Sequence, residues 1–361
     1  MRYFIKILIL FLFVCNLTYS QTRIDIADGN RLKWNAIEIE FSENKILFFR
    51  APEIIFEEFI TGKKQIFFSP AENFLLIVNY GFKKTKDDYE INYFIFNAMG
   101  SLEQSGSITE HFDLPHHLFA INNNGIVAAF SPAKFSLRII SKEIKTEIIL
   151  SEEKKFLYER AAKVLMSESE IFVLTSDGNF DIEKFKPNVE LYKIGINNFK
   201  IENQILELSN FTSFELFDEL IFISGFKIDN KIFTPTTFLY NSQLQLKNKS
   251  NEFELENVIK IEESFIGSFG NKIFLLNEDL QKLNNALISE AKSVKSLNNL
   301  GKTIFITIVT EKKDRLVELG TPFLFGIFNV SPILGEADFF NLLKFQNKLY
   351  IFNKSKTVTI E

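Results

Sequence analysis

Three stretches bring together residue types that can do chemistry. Glu110 to His117, EHFDLPHH, holds all three histidines, His111, His116 and His117, together with Asp113. Imidazole and carboxylate groups bind zinc when several converge on one point. His111 and Asp113 share a face at a two-residue period, so His111, Asp113 and His116 form the candidate ligand set. His116 and His117 are adjacent and point apart in an extended chain, and Pro115 makes the run a loop. The competing reading is a polar connection between strands. Asp177 to Glu183, DGNFDIE, offers oxygen donors at Asp177, Asn179, Asp181 and Glu183, the ligand type that Ca²⁺ takes. The order departs from an EF-hand, with Ile182 where glycine belongs and the closing glutamate misplaced. A solvated loop tip is the alternative. Gly81 to Glu90, GFKKTKDDYE, interleaves charge with Phe82 and Tyr89. Loops of this kind bind partners, and here the alternative is a hairpin tip without a role.

Other constellations do not occur in the sequence. Nucleophilic hydrolysis needs a serine or cysteine with a histidine base, and no Gly-x-Ser-x-Gly elbow is found. Ser264 and Ser268 sit in ESFIGSFG, which lacks that spacing. Neither a P-loop nor a dinucleotide fingerprint is present. The pairs Glu57-Glu58, Asp87-Asp88 and Glu262-Glu263 are adjacent, so on a strand each pair faces apart. A glycosidase pair would have to be assembled from distant elements. No catalytic residue is assigned, and no cofactor beyond calcium at Asp177 to Glu183.

The N-terminus predicts export. Arg2 and Lys6 precede an apolar run, Ile7 to Val14, of signal-peptide length. Leu17-Thr18-Tyr19-Ser20 places small residues for cleavage, so residues 1–20 read as a leader and Gln21 as the new N-terminus. Cys15 is the only cysteine, and Val14 before it disfavours a lipoprotein signal, leaving a periplasmic or secreted protein. The mature chain then has no disulfide, thiolate metal site or cysteine nucleophile. Removing Arg2 and Lys6 with the leader takes the formal charge from −5 to −7. Acids and bases are interspersed, which excludes the clustered basic face of a nucleic-acid binder. No membrane-spanning segment is expected after cleavage.

The elements that must carry these residues are strands. Gln65 to Tyr80, QIFFSPAENFLLIVNY, sets two apolar runs around a Pro/Asn turn, the signal of a hairpin. Variants recur at His117 to Phe130, where Asn124-Gly125 supplies a tight turn, and at Val164 to Thr175, Phe214 to Ser224, Phe265 to Leu276, Val294 to Ile308 and Leu342 to Phe352. A second motif, an apolar run reaching an asparagine and a short turn, follows at Tyr93 to Leu102, Phe238 to Leu244, Phe274 to Leu280 and Leu349 to Thr357. Together they give three or four antiparallel strands per unit. Turns near residues 44, 73, 124, 168, 218, 270, 301 and 347 lie mostly about 44 to 53 residues apart, with two shorter gaps. That period with four strands is a propeller blade. Runs such as LLIV and IFVL are apolar on both faces, as blades packed between neighbours require. Asp279 to Lys292 carries leucines at helical spacing, but the repeat assigns it to strand. The expected fold is an all-β propeller of seven blades, with six or eight also admissible, in one domain over residues 22–361.

Ile66 to Val78, with the order F-S-P-x-x-N-x-L-L-I-V, resembles the blade signature of WD40-like and TolB-like propeller repeats. Ala71-Glu72-Asn73 replaces the usual Asp-Gly-Lys of the turn, and Trp34 is followed by Asn35 rather than aspartate. The leader ending in Ser-Gln, with the Phe/Ile/Asn/Lys bias, is similar to exported proteins of Bacteroidota-type bacteria. These resemblances imply fold and compartment and leave activity open. The resulting expectation is a monomeric exported binding module for a protein or glycan. Its rival is a propeller hydrolase or lyase acting on polysaccharide or peptide at the central channel.

Overall fold

The computed structural model describes residues 24–26, 30–42, 44–59, 63–80, 89–110, 118–153, 161–177, 184–300, 303–311, 313–319, 327–329, 341–345, 348–353 and 356–360. Among them regular structure is all β, in eight antiparallel sheets. A short strand β1 (Ile24–Ile26) comes first. β2 (Arg31–Trp34), β3 (Ile37–Phe41), β4 (Lys45–Arg50) and β5 (Glu53–Phe59) make one sheet. β6 (Lys63–Phe68), β7 (Phe74–Tyr80), β8 (Tyr89–Asn97) and β9 (Leu102–Glu110) make the next, with β1 added along β6. β10 (Leu118–Ile121), β11 (Val127–Ser131), β12 (Ser136–Ile140) and β13 (Lys145–Ile149) follow. Then come β14 (Ala161–Met166), β15 (Glu170–Ser176), β16 (Val189–Gly195) and β17 (Ile201–Leu206). β18 (Asn210–Phe217), β19 (Leu220–Asp229), β20 (Ile232–Asn241) and β21 (Leu246–Ser250) come next. β22 (Asn257–Ile261), β23 (Ser264–Phe269), β24 (Lys272–Asn277) and β25 (Lys282–Leu287) form the sixth sheet. β26 (Ser293–Leu300), β27 (Thr303–Val309), β28 (Asp314–Leu319) and β29 (Ile327–Asn329) form the seventh. The last has three strands, β30 (Asn341–Phe345), β31 (Lys348–Asn353) and β32 (Lys356–Ile360).

From β6 onward the first strand of each sheet lies against the first strand of the next, through β10, β14, β18, β22, β26 and β30. β1, paired with β6, meets β30 and closes this inner ring of seven. The seven-blade expectation is met in that ring, and seven of the eight sheets carry four strands or more. The β2–β5 sheet lies at the closing seam. Its apolar face, Leu32, Trp34, Ile39 and Phe48, packs on Ile66, Phe68, Leu75 and Phe96 of the following sheet. The C-terminal sheet reaches it as well. The Tyr350 hydroxyl donates to the Lys33 carbonyl (3.0 Å), and the Arg31 N–H donates to Thr357 Oγ1 (3.2 Å).

Successive sheets share one apolar cluster per seam, six in all among the described residues. A sheet buried on both faces needs strands without polar alternation. β7 buries five consecutive residues, and β15 buries six. Outermost strands alternate instead and face water, as in β13 and β17. The phenylalanines explain how the seams fill. Phe48 meets Phe96 at 4.4 Å, Phe222 meets Phe265 at 5.3 Å and Phe67 meets Phe119 at 6.0 Å, each pair bridging two sheets. A buried ring removes about 150–250 Å² from water, so a few per seam replace disulfides as the glue. Trp34 is fully buried, and its indole N–H is satisfied by the Glu72 carbonyl at 3.1 Å.

The recurring asparagines are turn staples. Asn97 Oδ1 accepts from the N–H groups of Met99 and Ser101, and Asn241 Oδ1 accepts from Gln243 and Gln245. Asn277 repeats the bond with Gln281. The side chain thus takes over backbone donors that the third-to-fourth-strand turn would leave open. Positive φ follows at Gly100 (74°), Leu244 (59°) and Leu280 (57°). Lys282–Leu287 is a strand, and Leu283 and Leu287 are exposed, so the helical spacing there has no structural counterpart.

Candidate functional site

An up-and-down sheet of four strands sends its second-to-third turn, and its link to the next sheet, out at one rim. All three sequence candidates belong to such connections. Residues 81–88 join β7 to β8, residues 111–117 join β9 to β10, and residues 178–183 lie between β15 and β16. His111, Asp113, His116, Asn179, Asp181, Glu183 and Phe82 lie outside the described residues. Tyr89 opens β8, and Asp177 follows the end of β15. Among the described residues no three or more His, Cys, Asp or Glu side chains converge on a metal-sized point.

At this rim the structure builds a cavity of about 310 Å³ on the β18–β21 sheet. β19 and β20 are ten residues each, longer than either flanking strand. Lys227–Asp229 run past the end of the β18 pairing, and Ile232–Thr236 run past the start of the β21 pairing. The hairpin turns at Asn230 (φ 49°) and Lys231 (φ 65°), two left-handed residues in a row, which matches the right-handed twist of its arms. Pro235 sits on the bare outer edge, where a missing N–H costs no ladder bond. The register sorts the two faces. Phe226 opposite Pro235 and Ile228 opposite Phe233 form the apolar side. Lys227 opposite Thr234 and Asp229 opposite Ile232, with Thr236, line the cavity.

The charges around the cavity arrive paired. Lys249 Nζ lies 2.8 Å from Glu207 Oε2, and this partner holds the Glu207 carboxyl below the usual range. Lys227 Nζ stands 4.0 Å over the Phe185 ring, a cation–π contact. The Phe185 N–H donates to Asp229 Oδ1 (3.4 Å). Phe185, ahead of β16, therefore touches two residues of the cavity wall.

The neighbouring link, Asn251–Glu256, is fixed by buried hydroxyls. Ser224 Oγ accepts from the Leu255 N–H (2.7 Å) and pairs with Thr237 Oγ1 (2.9 Å), which donates to the Phe253 carbonyl (3.0 Å). Thr212 Oγ1 donates to the Leu255 carbonyl (2.8 Å). Phe253 and Leu255 point into the core, which turns Glu254 and Glu256 to the other side. Burial, with the Glu256 charge added, pushes the Glu254 carboxyl up to about 8, although the nearby Thr212 hydroxyl opposes the rise. Glu256 is raised by burial too, although its Oε2 accepts from the Gly270 N–H (3.3 Å). A carboxyl that keeps its proton near neutral pH can donate a hydrogen bond or act as a general acid.

Deeper in the ring, Lys163 of β14 and Glu215 of β18 form an ion pair across one seam, Nζ to Oε1 3.0 Å, with both side chains under a tenth exposed. Sequence reasoning passed over these groups. The signals were a lysine inside the apolar run AAKVLM, the acid/apolar alternation of EFELE, and an Asp-Asn-Lys turn between long apolar arms.

No protein-family model and no curated protein sequence matches the chain. Solved structures do. Sqt1 of Saccharomyces cerevisiae superposes with a TM-score of 0.57 at 9% identity, over 96% of this chain and 98% of that one. Apo AztD of Citrobacter koseri superposes at 0.52 and 12% identity, over 94% and 91%. The WD40 domain of Neurospora crassa Pan2 gives 0.48 at 11% identity, over 81% of this chain and 87% of that one. At such identities the first two likenesses establish the fold alone, and the fold is a β-propeller.

Proposed function

We propose that the chain is an exported β-propeller that works as a binding module, with its ligand on the rim that carries the β19–β20 hairpin. The observation behind this reading is the cavity on the hairpin's polar face, whose charged walls are held by Glu207–Lys249 and by Phe185 before any ligand arrives. Preorganised polar walls lower the cost of ordering side chains on binding. A ten-residue hairpin standing beyond its sheet also extends the reachable surface. Export rests on the basic and apolar leader of residues 1–20.

A second reading is favoured by one specific feature, the Glu254 carboxyl raised to about 8 beside Glu256. A proton-holding carboxyl next to a second one suits a hydrolase or lyase acting on polysaccharide or peptide. The two readings separate in one assay. The full chain is incubated with panels of polysaccharides and peptides, and both retention and new reducing ends or fragments are followed. Retention without product is the expected result. Product that disappears in Glu254→Gln would replace the binding module with the enzyme.

A further inference from the structure

Building on the binding-module reading, we propose that the hairpin cavity takes a neutral saccharide unit, the end or a branch of a glycan. The first argument is charge. Two ammonium groups, Lys227 and Lys249, are matched in number by two carboxylates, Asp229 and Glu207, so the walls carry no net charge. A ligand of either sign gains little there and loses its hydration. The second argument is hydrogen-bond alternation. Thr234, opposite Lys227 in the hairpin register, and Asp229 two residues further along present hydroxyl, ammonium and carboxylate within one strand pair. Each sugar hydroxyl donates once and accepts twice, so vicinal hydroxyls match mixed donors and acceptors where a carboxylate or ammonium ligand matches only half of them.

The third argument is shape. The polar walls are interrupted by Ile232, 65% exposed, which offers an apolar patch to the C–H face of a pyranose ring. A volume of about 310 Å³ lies at the small end of ligand pockets, roughly 300–1,000 Å³. That suits one or two sugar units and not a long buried chain.

The test uses the full chain against neutral oligosaccharides of two to six units, against uronic-acid oligosaccharides and against a peptide library, by calorimetry. Neutral oligosaccharides are expected to bind. Asp229→Asn and Thr234→Val, both at solvent-facing hairpin positions, should weaken them at least tenfold. Glu290→Gln, in the link between β25 and β26 and outside the cavity lining, should leave binding unchanged, and melting curves should show all three variants folded. Failure of every neutral oligosaccharide to bind would overturn the proposal, as would binding that ignores both hairpin variants. Peptide binding that depends on Asp229 and Thr234, with no saccharide binding, would overturn the saccharide while leaving the hairpin rim as the recognition face.

Discussion

Replacing Lys163 with methionine tests how the inner strands hold together. The ammonium and the Glu215 carboxylate are 3.0 Å apart and almost solvent-free. At an effective dielectric near 20, two charges at that distance attract by about 5–6 kcal/mol, and the loss of hydration by both ions cancels much of it. Burial pushes the two groups away from their charged forms, lowering Lys163 and raising Glu215, and each partner's charge opposes that shift. Without Lys163 the carboxylate has the burial penalty alone and takes up a proton. At pH 7, protonating a carboxyl whose ordinary value is 4.5 costs about 3 kcal/mol, and at pH 5 less than about 1 kcal/mol. Lys163→Met is therefore expected to lose about 3 kcal/mol at pH 7, within the range for breaking a buried pair, and about 2 kcal/mol less than that at pH 5. With a denaturant slope near 3 kcal/mol/M, the urea midpoint at pH 7 falls by about 1 M. The unique, fully buried Trp34 reports the transition by fluorescence. Lys163→Met/Glu215→Leu should recover most of the loss, since a packed apolar pair replaces the ions. A single variant within about 0.5 kcal/mol of the parent at pH 7, or a penalty equal at both pH values, would show that water reaches the pair and refute the reasoning.

Three further expectations are independent of that pair. Because Glu254 keeps its proton in the fold up to about 8 and releases it near 4.5 when unfolded, the folded chain binds the extra proton between those values. Its stability therefore falls as pH rises through that window. Glu254→Gln should flatten the fall and be the more stable form at pH 8, on the order of 1 kcal/mol after allowance for partial exposure; parallel stability curves from pH 5 to pH 8 would contradict this. Gly225→Ala places a Cβ 2.2 Å from the Asn210 carbonyl oxygen, beside the irregularity between Phe211 and Ser213 in β18. Backbone cannot step aside as a side chain can, so a loss of about 1–3 kcal/mol is expected by urea titration, and a neutral result would mean the strands separate freely there. N-terminal sequencing of protein exported by a bacterial host should begin at Gln21, and an intact Met1 in the exported fraction would remove the leader.

Much of the architecture was readable because each hairpin repeats a local rule. Ser69–Asn73, Asn122–Gly125 and the asparagines at 97, 241 and 277 are turns whose side chains make the bonds that fix them, so composition and geometry coincide. The uneven turn spacing also has a physical cause. The turns near 44 and 270 join the second and third strands of their sheets, whereas the others join the first and second. Taking Asn35-Ala36 and Glu262-Glu263 instead brings every interval to about 37–51 residues. The cavity was not readable. It depends on how far β19 and β20 overrun their neighbours, a property of pairing between strands; the Asp229-Asn230-Lys231 turn marks the hairpin and not its overhang. The Lys163–Glu215 contact is likewise made by residues 52 apart in sequence, brought together by the seam alone.

The ring itself is tested most directly by the distance between its two ends. Arg31 and Thr357 are hydrogen-bonded across 326 residues, and the expected mature chain contains no native cysteine to interfere. Spin labels on Arg31→Cys and Thr357→Cys, measured by pulsed electron resonance, should give one narrow population at the short limit of the method. A broad or long distribution would mean that the sheets form an open array, and would contradict the closed propeller.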